Sequence, residues 1–107
     1  MSQQLCFRFQ DADKLPKALE DIKDEIRTAC PDVIDDGTRP FRAFWTGYGK
    51  TGLEVTVEAH FRIKLLGNDF WVNRQNMLMA INRAVHKNKI EFSVIDQERL
   101  SAIYKTR

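Results

Sequence analysis

The chain has 107 residues, 17 of them Lys or Arg and 15 Asp or Glu, for a formal charge of +2. That length supports one domain with one hydrophobic core and needs no staple. A charge so near balance, with both signs interspersed, gives composition no reason to select nucleic acid or anionic lipid as a partner.

The opening QLCFRFQ alternates Leu5, Phe7 and Phe9 with Cys6, Arg8 and Gln10, which predicts a strand with one apolar face. Asp11 or Asp13 then offers a side-chain oxygen to cap a helix from about Lys14, with Pro16 tolerated in its first turn. Leu15, Ala18, Leu19, Ile22, Ile26 and Ala29 recur at helical spacing until Pro31 stops the pattern. DVIDDGTRP is a polar connection, and FRAFWTG reads as a second strand with Phe41, Ala43 and Trp45 on one face and Arg42, Phe44 and Thr46 on the other.

GYGKTG, residues 47–52, carries the GKT triplet of a phosphate-binding loop, but that loop needs a glycine at position 44 and a helix after it. Position 44 is Phe44, and LEVTVEAHFRIKL follows, alternating Leu53, Val55, Val57, Ala59, Phe61, Ile63 and Leu65 with polar residues. A hairpin turn into a long third strand is the expectation, its glycines supplying positive backbone angles. The period then returns to helical in FWVNRQNMLMAINRAVHK, with Met77, Leu78, Ile81, Ala84 and Val85 on one stripe. Asn68 or Asp69 is placed to cap its start and Asn88 to take the left-handed position at its end. Ile90, Phe92 and Val94 form a fourth strand pattern.

Strand, helix, strand, strand, helix, strand is the order of a ferredoxin-like βαββαβ two-layer sandwich, an α+β fold whose antiparallel sheet carries both helices on one face. Residues 1–95 make that domain. Residues 96–107 make a tail in which Leu100, Ile103 and Tyr104 suit a short helix and Leu100, Ala102 and Tyr104 suit a strand. The open sheet face is expected to show Arg8, Arg42, Phe44, Thr56, Glu58, His60 and Arg62.

Few constellations suggest chemistry. Cys6 and Cys30 lack CxxC spacing and nearby histidines, so they read as apolar fillers, and no metal or cofactor is expected. Glu54, Glu58 and His60 share a strand face without a further ligand at a telling spacing, and read as a solvated mixed-charge surface. Arg83, His86, Lys87 and Lys89 suit the negative end of a helix dipole before they suit an anion site. The outward residues lack the stacked aromatics of an RNA-binding sheet, and Glu54 and Glu58 repel phosphate, so nucleic acid is not an expected partner. With no nucleophile and base assembled, the chain is not expected to be an enzyme. The opening MSQQLCFRF lacks the blocks of a secretory signal, and no apolar run reaches the 18 or so residues of a membrane span, which predicts a soluble intracellular chain.

DIKDEIRTACPDV, RPFRAFWTGYGKTGLEVTVEAHF and FWVNRQNMLMAINRAVHKNKIEF together resemble, in order and spacing over about residues 15 to 95, the carboxy-terminal α/β portion of MscS-like mechanosensitive channels. Asn88 or Lys89 stands where that family commonly has glycine, and FSVIDQ replaces a proline-rich stretch. The resemblance implies a vestibule and assembly module of a channel whose pore and membrane spans lie upstream, held in a homo-oligomeric ring, typically of seven, while the isolated fragment is monomeric. It also implies a location on the soluble side of a bacterial inner membrane or an organelle membrane. The family's tail forms strands between subunits, which makes Phe92, Val94, Leu100, Ala102 and Tyr104 candidate subunit contacts. A ferredoxin-like small-ligand sensor or dimerisation domain is the alternative, and a nucleic-acid-binding module the third.

Overall fold

The computed structural model describes residues 1–63 and 67–93. At its centre is β3 (Leu53–Glu58), where Leu53, Val55 and Val57 are buried while Glu54, Thr56 and Glu58 turn to the opposite face. It is flanked by β1 (Ser2–Phe7) and β2 (Arg42–Tyr48), both antiparallel, in the order β1-β3-β2. The alternation runs on past Glu58, since Ala59 and Phe61 are also buried. There the partner changes: Phe61 bridges Val33, the Ile34 N–H donates to the His60 carbonyl at 2.8 Å and the Arg62 N–H to the Asp32 carbonyl at 2.8 Å. One periodic stretch therefore serves two pairings, which the sequence pattern merges into one long strand.

α1 (Leu15–Ala29) lays Leu15, Ala18, Ile22 and Ile26 against the sheet, with Pro16 in its first turn, where an N–H has no partner to lose. α2 (Asn68–Lys87) buries Met77, Ala80, Ile81, Ala84 and Val85 beside it. Both stripes join Phe7, Leu53, Val55 and Val57 in one core, so both helices cover one sheet face, as expected. Each fully buried large side chain contributes about 1.5–3 kcal/mol relative to exposure, which is what aligns two weakly propagating helices on this platform.

The fourth run reaches its expected place. Phe92 makes an antiparallel bridge to Phe7, the Arg8 N–H donates to the Glu91 carbonyl at 3.1 Å, and the Ser93 N–H to the Cys6 carbonyl at 2.9 Å. These bonds set residues 91–93 on the outer side of β1, completing the α+β sandwich order, although the described strands number three. Val94 lies outside the described residues.

Local expectations needed correction where a competing contact prevailed. β1 stops at Phe7, because the chain turns at Arg8 into a 3-10 turn, Phe9–Lys14, leaving Phe9 exposed rather than on the apolar face. Asp11 caps no helix, since the residue before α1 is Lys14, with no side-chain cap. Nor do Asn68 or Asp69 cap α2; Gly67, at φ 90°, precedes it and both lie within its first turn. The left-handed residue after α2 is Lys89, at φ 56°, and Asn88 stays right-handed while its Nδ2 donates back to the Ala84 carbonyl at 2.8 Å. Positive φ among the described glycines occurs at Gly37 and Gly67, not in the 47–52 hairpin. Gly52 is the hairpin glycine whose added Cβ would collide with backbone, the Phe7 carbonyl oxygen of the adjoining strand, whereas one at Gly49 would meet only the Glu54 side chain.

Candidate interaction surface

On the open sheet face opposite charges pair, while the buried His60 Nε2 makes no hydrogen bond. The Arg42 Nη2 lies 2.8 Å from Glu58 Oε1, the His60 Nε2 3.5 Å from Glu58 Oε2, and Arg62 Nη2 2.6 Å from Asp36 Oδ2. The Arg42 hydrogen bond, ahead of its charge and the His60 contact, holds the Glu58 carboxyl below the usual range. Glu54 does not join them; it sits by the turn, where its Oε1 would lie 2.6 Å from a Cβ at Gly49. Glu58 and His60 thus come together without Glu54, and among the described residues no group of three or more His, Cys, Asp or Glu is placed to hold a metal ion. Phe44 stands exposed on this face in the company of carboxylates, which suits neither phosphate nor base stacking.

The cations at the end of α2 divide their work. Arg83 Nε bridges to Glu25 Oε2 of α1 at 3.2 Å, while His86 and Lys87 face solvent in the last turn, complementing the helix dipole. Lys14 Nζ donates to the Lys89 carbonyl at 3.3 Å. A shallow depression of about 530 Å³ is lined by Met79, Asn82, Arg83, His86 and Lys87, all from this one helix. It is a helix surface rather than a cleft. Burial pushes the Cys30 thiol up, in keeping with an inert filler.

Apolar surface collects in two other places. Along the outer side of α2, Trp71 (63% exposed), Val72, Leu78 and Met79 recur at helical spacing away from the core. At β2, Trp45 and Tyr48 pack edge to face, centroids 5.3 Å apart, with Tyr48 74% exposed. The Trp45 indole N–H donates to the Gly47 carbonyl at 2.9 Å, fixing the ring over an irregularity in the β2–β3 register between Trp45 and Gly47. The expected stripe had placed Leu78 inward; it is 39% exposed, and buried Asn73, whose Nδ2 donates to the Asp69 carbonyl at 2.9 Å, extends the stripe instead. A second periodicity, Trp71 and Val72 with Leu78 and Met79 seven residues on, was the signal available in the sequence.

Of the candidate subunit contacts, Phe92 is half-buried and stacks on Phe7, centroids 5.2 Å apart. Val94, Leu100, Ala102 and Tyr104 lie outside the described residues. No helix of the described residues is long and apolar enough to cross a membrane.

What remains is a two-layer α+β module whose described surface offers paired charges and two apolar patches. No protein-family model and no curated protein matches the sequence. Its fold is that of a part of Arabidopsis thaliana MSL1, an MscS-like channel seen by cryo-EM in a variant form, to which it is similar with a TM-score of 0.70 over 86% of this chain at 15% sequence identity. The match takes in 34% of that channel's chain, so this sequence spans about a third of its length. The α/β fold expected from the MscS-like resemblance is present.

Proposed function

We propose that this chain is a non-catalytic vestibule and assembly module of an MscS-like mechanosensitive channel, contributing subunit contacts and a path for ions to a pore outside these residues. The observation that carries the reading is the fold shared with part of MSL1 over 86% of the chain. Residues 1–95 form the domain in this reading and residues 96–107 a tail between subunits, with Phe92, Val94, Leu100, Ala102 and Tyr104 at the contacts. The complete protein is a homo-oligomeric ring, with seven copies the expected number, set in a bacterial inner membrane or an organelle membrane through upstream spans. Exposed pairs such as Arg42 with Glu58 and Arg62 with Asp36 nearly cancel, so their bias on passing ions is small and fades as salt rises.

Patch-clamp recording from membranes containing the complete protein tests this. A conductance that opens with applied tension is expected. A complete reading frame without membrane spans, or tension-insensitive membranes with the protein present, would overturn it.

A further inference from the structure

A depression of about 320 Å³ is lined by Met1, Ile34, Arg39, His60, Phe61 and Ile63, with no carboxylate and no residue of α2 in its wall. Its frame is the second pairing of the periodic stretch beyond Glu58. Phe61 bridges Val33 there, and the Ile34 and Arg62 N–H groups donate to the His60 and Asp32 carbonyls. From that frame the loop to Arg39 is pinned at Asp36, whose Oδ1 accepts the Thr38 N–H at 3.0 Å and whose Oδ2 lies 2.6 Å from Arg62 Nη2. Pro40 then restricts the backbone of Arg39 to extended conformations, so the side chain springs from a preset position.

Arg39 differs from the other arginines. Arg8, Arg27, Arg42, Arg62 and Arg83 each pair with a carboxylate, and Arg74 donates to the Gln3 amide oxygen. Among the described residues Arg39 is exposed and has no polar partner. Asp36 and Glu58 are held by Arg62 and Arg42, which leaves neither to neutralise it. The buried His60 Nε2, 3.5 Å from Glu58 Oε2, is out of a ligand's reach, and the Met1 amino group already donates to the Ala59 carbonyl at 2.7 Å. The anchoring charge of the depression is therefore Arg39.

We propose that this depression binds a small monocarboxylate with an apolar tail. The Arg39 guanidinium takes the carboxylate through its planar fork, which matches that group's two oxygens. Ile34, Phe61 and Ile63 receive the tail, Phe61 being only 9% exposed and the two isoleucines half-buried. The volume stands at the small end of the roughly 300–1,000 Å³ of ligand pockets, which selects a short tail. A lone cation above an apolar floor, without a carboxylate in the wall, favours an anion over a zwitterion or a cation. This site goes beyond the channel reading and does not depend on it.

Isovalerate is the probe, with isovaleramide as a neutral molecule of the same shape and acetate as the anion without the tail. Each is titrated into this chain at constant ionic strength while the Arg39 side-chain Nε–H and the Ile34 and Ile63 methyl resonances are followed. Isovalerate is expected to move all three along one saturable curve in the millimolar range, as one ion pair and a small apolar contact allow. Isovaleramide and acetate are each expected to bind about tenfold more weakly, and Arg39→Gln to weaken isovalerate by a similar factor. Arg39 holds no other group, so the urea unfolding curve of the variant should match that of the native chain. If it does not, the comparison of isovalerate with isovaleramide on the native chain decides alone. Equal affinity for the amide overturns the proposal, as does isovalerate binding that survives Arg39→Gln in a variant of native stability. So do shifts that stay linear in concentration, or shifts confined to Arg39 without the isoleucine methyls. A tension-gated conductance requires none of this binding, so its failure leaves the channel reading standing.

Discussion

Asp11 and Glu91 are 80 positions apart, yet the Glu91 backbone N–H donates to Asp11 Oδ2 at 3.0 Å. The same carboxylate takes Arg8 Nε and Nη2 at 3.1 Å each, and Arg8 Nη1 lies 3.0 Å from Glu91 Oε2. Asp11 is buried, so this knot fastens the run that ends the described chain to the turn after β1. Replacing Asp11 by Ala leaves a backbone N–H and a guanidinium fork without their acceptor. A loss of about 2–3 kcal/mol in urea unfolding is expected, with Asp11→Asn intermediate. A loss under half of that would mean the knot is dispensable.

The same carboxylate gives a pH signature. Burial pushes the Asp11 pKa up, but the Arg8 hydrogen bond, the Glu91 N–H and neighbouring cations outweigh it and hold the group below its ordinary 3.8. A depressed folded pKa stabilises above the unfolded value, and that stability is lost as pH falls through the folded value. Asp21, lowered chiefly by its Lys17 hydrogen bond, and Asp36, lowered chiefly by Thr38, act in the same direction. Stability should fall below about pH 4, and Asp11→Asn should flatten that slope. Parallel pH profiles for the two proteins would contradict the assignment.

Gly52 and Gly47 make a controlled pair. A Cβ at Gly52 meets backbone, the Phe7 carbonyl oxygen, whereas one at Gly47 meets nothing within 4 Å. Gly52→Ala should cost about 1–3 kcal/mol, as strand backbones cannot yield as a flexible side chain can. Gly47→Ala should stay within about 0.5 kcal/mol. Thermal melts of both variants decide it, and equal effects would place the tight approach elsewhere.

Lys89 holds φ 56° without being glycine. Its backbone carbonyl, not its side chain, receives Lys14. Lys89→Gly keeps that acceptor and removes the Cβ strain, so a gain of about 0.5–1 kcal/mol is expected. A destabilised variant would show that the lysine side chain holds something the backbone does not.

The layers were legible because burial enforces periodicity: Val55 and Val57 against Glu54 and Glu58, and Ile22 and Ile26 four apart, have one arrangement that hides the apolar set. The ends were less so, since they turn on single contacts. Asp11 resembles a helix cap in sequence, and only the fold brings Glu91 to it. Lys89 took the left-handed position because Asn88 was already committed to Ala84 and to Asp21, whose Oδ2 accepts its Nδ2 at 2.9 Å. The surface patches were hidden for another reason. Trp71 and Leu78 are as hydrophobic as core residues, and one turn of ambiguity in α2 separates the stripe that faces the sheet from the one that does not.

Whether this domain is a device for joining copies is answered most directly by the mass of the complete protein in a lipid nanodisc, measured with and without residues 1–93. A ring mass for the complete protein, loosened or lost on deletion, is the expected result. A complete protein that runs as a single copy, or a ring indifferent to the deletion, would contradict it.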